Sequence, residues 1–99
     1  ITTDLAGFGL WVNSLKGGYA ELTDGVKVIH RSDYNYSEVA DAIKDTISEF
    51  SALKESEIKK IRKNAAGIAE KALWKHFIKY YYEAYDIALR NAQKRLLNR

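Results

Sequence analysis

The chain has 99 residues, fewer than the usual span of one domain, about 100–200, so it has room for one small core and no second one. Hydrophobic residues make up 46% and charged residues 29%, a balance that excludes wholesale disorder. The net charge of +3 is only mildly basic, and the densest basic tract, Lys59-Lys60-Ile61-Arg62-Lys63, follows Glu55 and Glu57, so nucleic acid is not an expected partner. Cysteine is absent, which removes disulfides, thiol catalysis and cysteine-ligated metals. With only His30 and His76 as imidazoles, no metal site and no cofactor are expected. No stretch approaches the roughly 20 apolar residues of a membrane helix, and Ile1–Asp4 lacks the basic and apolar regions of a signal peptide. No membrane and a cytoplasmic setting are therefore expected. Methionine is missing even at position 1, so Ile1 is not expected to be a translation start and the chain is read as a single fragment, 1–99, of a longer parent.

In chain order, residues 1–18 open with β-branched residues, pass Asp4, and run through Gly7 and Gly9 into Leu10, Trp11, Val12 and Leu15. This predicts the tail of a strand, a glycine-containing turn and a short helix ended by Gly17-Gly18. Val26–His30 reads as a second strand after the turn pair Asp24-Gly25, with Tyr19–Leu22 able to pair with it as a hairpin.

From residue 35 the apolar period lengthens to that of a helix. Asn35 and Glu38 have capping-box spacing, with Ser37 as the other possible cap. Tyr36, Val39, Ala40, Ile43, Ile47 and Phe50 form one stripe, opposite Asp41, Lys44, Asp45 and Glu49. Ser56 is the predicted cap of a second amphipathic helix carrying Ile58, Ile61, Ala65, Ile68 and Ala72, so residues 35–73 hold two helices. A terminal helix over 74–97 presents a broad face with Trp74, Phe77, Ile78, Tyr81, Tyr85 and Ala88. A break around 71–75 is expected, because one helix of some 40 residues exceeds the usual length of about 8–20.

The chemistry in this inventory is sparse. No Gly-x-Ser-x-Gly elbow supports hydrolysis. His30 reads as a polar strand end and His76 as a helix-surface residue. Tyr80-Tyr81-Tyr82 with Tyr85 cannot make a continuous stacking platform, since consecutive helical residues point about 100° apart. Packing is the stronger reading for these rings. The stretch Thr2–Gly9 has two readings: a structural turn, or glycines that let the backbone and a helix N-terminus approach an anion. It is neither a dinucleotide fingerprint nor a Walker-type loop.

Thr2-Thr3-Asp4-Leu5-Ala6-Gly7-Phe8-Gly9 resembles the Thr-Asn-Leu-Ser-Gly-Phe-Gly segment of the animal and fungal type of glycogen synthase. Trp74-Lys75-His76-Phe77-Ile78-Lys79-Tyr80-Tyr81, with Ala84 and Ala88-Leu89 beyond it, is similar to that family's Trp-basic-aromatic-apolar-x-basic-Tyr-Tyr helix. Val28-Ile29-His30-Arg31 sits where the family has a strand running into Asp-Arg-Arg.

The resemblance implies the C-terminal part of a retaining glycosyltransferase of the two-Rossmann-domain (GT-B) type, which extends an α-1,4-glucan such as glycogen or starch from UDP- or ADP-glucose. On that reading the chain is a mostly helical α/β remnant of one or two strands and three or four helices. Residues 1–31 end the C-terminal Rossmann-like unit, and 74–97 pack on the missing N-terminal half. No catalytic residue lies in the fragment, which alone is expected to be inactive. Thr3, Asp4, Gly7 and Gly9 are the donor-proximal candidates, although Asp4 and Ala6 depart from the family's Asn and Ser. Trp74, Phe77, Ile78, Tyr81, Tyr85 and Ala88 are candidates for packing on the remainder of the parent or on another copy. The tract 59–63 has a single Arg where animal members carry an arginine-dense helix, so control by glucose 6-phosphate is not expected and a bacterial or archaeal member is. The alternative is a non-enzymatic helical interaction module that self-associates through the 74–92 face, and the isolated fragment is expected to be a homo-oligomer either way.

Overall fold

The computed structural model describes residues 1–98. The chain is mostly helical, with two short parallel strands: β1 (Thr2–Thr3), α1 (Gly7–Lys16), a 3-10 turn (Leu22–Asp24), β2 (Val28–Ile29), α2 (Tyr36–Ser51), α3 (Glu55–Lys71) and α4 (Trp74–Leu97). It divides into two compact units, Ile1–Ile68 and the residues from Ala69 onward.

The first unit is built on a β1–α1–β2 crossover. Thr2 lies opposite Val28 and Thr3 opposite Ile29 in a parallel pair. The Thr2 N–H donates to the Lys27 carbonyl at 2.9 Å and the Asp4 N–H to the Ile29 carbonyl at 3.1 Å. Parallel strands need a crossover element, and α1 supplies it. The hairpin expected between Tyr19–Leu22 and the second strand is not formed. Leu22–Asp24 coils into the 3-10 turn because the Asp24 carboxylate accepts the Glu21 N–H at 2.8 Å and Gly25 takes a left-handed φ of 96°. One strand-like bond survives from that expectation, Val28 N–H to the Ala20 carbonyl at 3.0 Å.

Val12, Ala20 and Val28 are the centre of the core, with Trp11, Val26 and Ile68 packed against them. The helix begins at Gly7, so the two glycines expected in a turn lie in its first turn instead. They differ in purpose. A Cβ on Gly9 would sit 1.9 Å from the Thr3 carbonyl oxygen, so only glycine lets α1 cross β1 this closely, whereas a Cβ on Gly7 would meet nothing within 4 Å. At the other end Gly17, with φ 80°, stops α1 as predicted. The Asn13 side chain then accepts the Ala20 N–H at 2.9 Å, carrying the chain from the helix end into the core.

Gly25 performs a second close approach. Its Cβ position lies 2.4 Å from the Ala65 nitrogen, and the Asn64 amide donates to the Thr23 carbonyl at 2.8 Å, so the turn is seated on the backbone of α3. The stripe predicted for α3 faces inward: Ile61 is buried and Ile58, Ala65, Ile68 and Ala72 are half-buried. The stripe predicted for α2 does not. Val39 and Thr46 are its buried residues, flanked by half-buried Ala42 and Phe50, while Tyr36, Ala40, Ile43 and Ile47 stay exposed. The buried line is rotated away from the most apolar stripe and runs through Val39, Ala42, Thr46 and Phe50. Thr46 is tolerated there because its hydroxyl donates to the Ala42 carbonyl at 2.7 Å.

Two predicted caps are corrected. Asn35 occupies the cap position of α2 without a side-chain cap bond, its amide being used by the preceding loop, and Ser37 lies inside the helix. The third helix starts one residue before Ser56, and it is Glu57 that reaches back to accept the Lys54 N–H at 3.1 Å.

In the second unit the break falls at Ala72-Leu73, inside the expected window. The Ala72 and Leu73 N–H groups bond three residues back, to Ala69 and Glu70, tightening the last turn of α3, and Leu73 then turns extended at φ −65°, ψ 145°. Lys75 and Glu70 span the break at 3.0 Å.

The two glycines of α1 give opposite substitutions. Gly7→Ala should stabilise the chain by about 0.5–1 kcal/mol, as alanine does in an open helical site. Gly9→Ala should destabilise it by roughly 1–3 kcal/mol, the cost of forcing a methyl group into a packed contact. Urea unfolding of both variants separates the two, and a stabilised Gly9→Ala would contradict the close crossing.

Candidate functional site

Asp4 follows β1 directly and His30 follows β2, and because the strands are parallel their ends meet at one edge of the sheet. In open α/β sheets that carboxyl edge is where ligands bind. The Asp4 side chain is nine-tenths covered there. One carboxylate oxygen accepts the Tyr19 hydroxyl at 2.8 Å and the His30 Nδ1–H at 2.7 Å, and the other accepts the Arg31 N–H at 2.8 Å. The acceptor-only carboxylate requires the imidazole proton on Nδ1.

These bonds favour the charged form of Asp4 and lower its pKa to about 2, the Arg31 N–H contributing most, then His30 and Tyr19, against the opposing effect of burial. The same contact raises the Tyr19 phenol, whose proton is held by a carboxylate. With Nδ1 committed, Nε2 of His30 is the nitrogen turned outward, on a ring that is 64% exposed. An imidazole held in this way by a carboxylate has one ring nitrogen fixed and presents the other to its surroundings.

The loop leaving this edge is fixed as well. The Asn35 amide donates to the His30 carbonyl at 2.9 Å and accepts the Ser32 N–H at 2.7 Å. The Arg31 guanidinium donates to the Ser32 carbonyl and to Asn35, and lies 5.9 Å from the centre of the Tyr36 ring. Thus Asn35, expected to start a helix, instead ties the strand end to it.

The four donor-proximal candidates fall into different surroundings. Thr3 lies in β1, and its hydroxyl accepts the Leu5 N–H at a weak 3.4 Å. Asp4 spends its carboxylate on its own chain. Gly9 is taken up by the crossing of β1, and Gly7 borders open space at the start of α1. Ala6 gives that helix no side-chain cap, and its first turn carries no acidic residue. Among the described residues no three His, Asp or Glu side chains are placed to hold a metal ion, and no helix is long and apolar enough to cross a membrane.

The sequence reading overlooked the joining of Tyr19 and His30 to Asp4. A signal was present: each β-branched pair, Thr2-Thr3 and Val28-Ile29, is followed at once by a polar residue able to bond the other.

In the second unit, α4 exposes most of its predicted packing face. Trp74, Tyr81, Tyr85 and Ala88 are exposed, and Phe77 and Ile78 are half-buried. Trp74 and Tyr81 are stacked at a tilt, their centroids 4.8 Å apart. Lys79 lies 5.0 Å from the Tyr80 ring centre, so the flank of this face carries a cation against an aromatic ring.

Compared with protein-family models, with curated proteins and with solved structures, the chain has no match.

The Asp4 contacts set a pH dependence. Because the folded pKa lies below the ordinary 3.8, the stabilisation is complete above about pH 4 and is lost as the pH falls toward 2. Thermal melts from pH 7 to 2 should show a drop in Tm over that interval. In Asp4→Asn the drop should be smaller and the Tm at pH 7 lower, with Asp24, itself lowered by Lys16, supplying the remaining acid sensitivity. Equal profiles for the two proteins would contradict the assignment.

Proposed function

We propose that the chain is the C-terminal part of a retaining glycosyltransferase of the glycogen or starch synthase type, with an α/β unit of GT-B origin in residues 1–31. The parent protein lengthens an α-1,4-glucan from UDP- or ADP-glucose. The observation that carries this reading is the β1–α1–β2 crossover, whose parallel strands bring the end of the Thr2–Gly9 motif and the end of Val28-Ile29 to one edge. A ligand-binding α/β sheet uses that edge. The resemblance of Thr2–Gly9 and of Trp74–Tyr81 to glycogen synthase supports the particular reaction. Here Thr3 and Gly7 border the donor, Gly9 holds α1 against the strand, and Asp4 acts from behind as a positioning residue. Catalysis and the grip on the donor phosphates belong to residues upstream in the parent. The lysine-rich tract 59–63 has Arg62 as its single arginine fork where an arginine-dense helix would read a sugar phosphate, in keeping with a bacterial or archaeal, cytoplasmic enzyme without glucose 6-phosphate control.

The exposed face of α4 favours a second reading. With Trp74 at 56%, Tyr81 at 48% and Tyr85 at 56% exposure, it leaves three large aromatic rings uncovered along one helix, and grouped exposed apolar residues of this kind mark interaction surfaces. A non-enzymatic module that self-associates through this face would use it in the same way as a packing surface within a parent.

The parent protein should transfer radiolabelled glucose from UDP- or ADP-glucose to glycogen, giving a product sensitive to α-amylase, while residues 1–99 alone transfer none. A parent reading frame that starts within a few residues of Ile1, or a purified parent that transfers no glucose from either donor, would overturn this reading. In that case Tyr81→Asp with Tyr85→Asp, followed by sedimentation, tests the second one: an oligomer that these changes reduce to monomer supports it.

A further inference from the structure

We infer that the first unit carries a binding site for a neutral polyhydroxylated ligand, a saccharide, in the cleft between the 3-10 turn and the start of α3. The cleft has a volume of about 500 Å³ and is lined by Thr23, Asp24, Leu53, Glu57, Lys60, Ile61 and Asn64. That volume lies within the range of about 300–1,000 Å³ typical of small-molecule sites. Leu53 and Ile61 are its apolar residues, the latter buried, and the other five are polar.

The walls are already fixed. Gly25 seats the turn on the α3 backbone at Ala65, and the Asn64 amide nitrogen holds the Thr23 carbonyl. One oxygen of Asp24 takes both the Lys16 ammonium, at 2.6 Å, and the Glu21 N–H. One oxygen of Glu57 takes the Lys54 N–H. Each of these bonds orients a side chain through one atom and leaves it a second polar atom: the Asn64 carbonyl oxygen and the other oxygens of Asp24 and Glu57. The Thr23 hydroxyl and the Lys60 ammonium add donors, and among the described residues Lys60 has no ion pair. Groups ordered before the ligand arrives lose little entropy on binding it.

The charges select the class of ligand. Asp24 is already neutralised by Lys16, and Glu57 and Lys60 oppose each other one helical turn apart. Neither an anion nor a cation meets a net opposite charge. A hydroxyl group both donates and accepts, so a ligand rich in hydroxyls satisfies carboxylates, an amide oxygen and an ammonium together. Its C–H faces suit Leu53 and Ile61. The choice of an α-1,4-glucan as this saccharide rests on the proposed function, whereas the saccharide class rests on the cleft alone.

Titrating the chain with maltohexaose, followed by ¹H–¹⁵N NMR, tests the inference. Shift changes should centre on the amides of Asp24, Glu57, Lys60 and Ile61 and on the Asn64 side chain. Lys60→Ala and Glu57→Gln should each weaken the fitted Kd roughly tenfold, the effect of losing one hydrogen bond to a charged group. Both changes lie at exposed positions, and an unchanged far-ultraviolet dichroism spectrum shows that the variants remain folded. Repeating the titration with cellohexaose separates the two claims: binding of both sugars supports a saccharide site without preference for the α-linkage. No shifts with either sugar at millimolar concentration, or shifts confined to the tyrosines of α4, would overturn it. Glucose transfer by the parent without these shifts would remove the cleft and leave the proposed reaction standing, and the converse result would do the reverse.

Discussion

One carboxylate holds together parts of the chain that are far apart in sequence. Asp4 ends β1, yet its three acceptor bonds go to Tyr19 after α1, to His30 at the end of β2 and to the Arg31 backbone on the way to α2. Two strands of two residues each form a ladder too short to be stable by its own hydrogen bonds. A charged acceptor with three donors, nine-tenths covered, compensates for what the ladder lacks. The low pKa of Asp4 is the same fact seen from its proton.

Backbone contact does for the remaining elements what Asp4 does for the strands. Gly9 brings α1 onto β1, and Gly25 brings the 3-10 turn onto α3. Neither place has room for a Cβ. The core is therefore small in side-chain volume, centred on Val12, Ala20 and Val28, but its elements lie close. The edge where Asp4 and His30 meet and the cleft beside Gly25 are consequences of these approaches, since both are surfaces made rigid by contacts behind them. That links packing to the proposed role: a wall that supports a donor site, or grips a glucan, must hold its shape without ligand.

Much of this was legible from residue types. The helical period after residue 35, the inward stripe of α3, the stop at Gly17 and the interruption near Leu73 all follow from local rules that tertiary contacts did not override. The buried face of α2 differs from its most apolar stripe: it runs through Val39, Ala42, Thr46 and Phe50 and leaves Ile43 and Ile47 outside, with Thr46 accommodated by its own hydroxyl bond to the Ala42 carbonyl. The expected hairpin failed because sequence neighbours compete with distant ones, and here Asp24 turned the chain before Tyr19–Leu22 could pair with β2. Asn35 shows the same competition, its amide drawn to the loop and away from the helix end. The Asp4 cluster was the least legible, since nothing local says that positions 4, 19, 30 and 31 meet until the two strands are known to be parallel.

Amide hydrogen exchange at Arg31 tests the central role of Asp4 most directly. Arg31 lies in a loop, outside any ladder, so its N–H should exchange fast unless the carboxylate holds it. Its protection should match that of the Asp4 and Val28 amides and fall with theirs in the Asp4→Asn protein. An Arg31 amide that exchanges at the rate of an open loop, while Asp4 and Val28 stay protected, would show that the strands stand without the carboxylate.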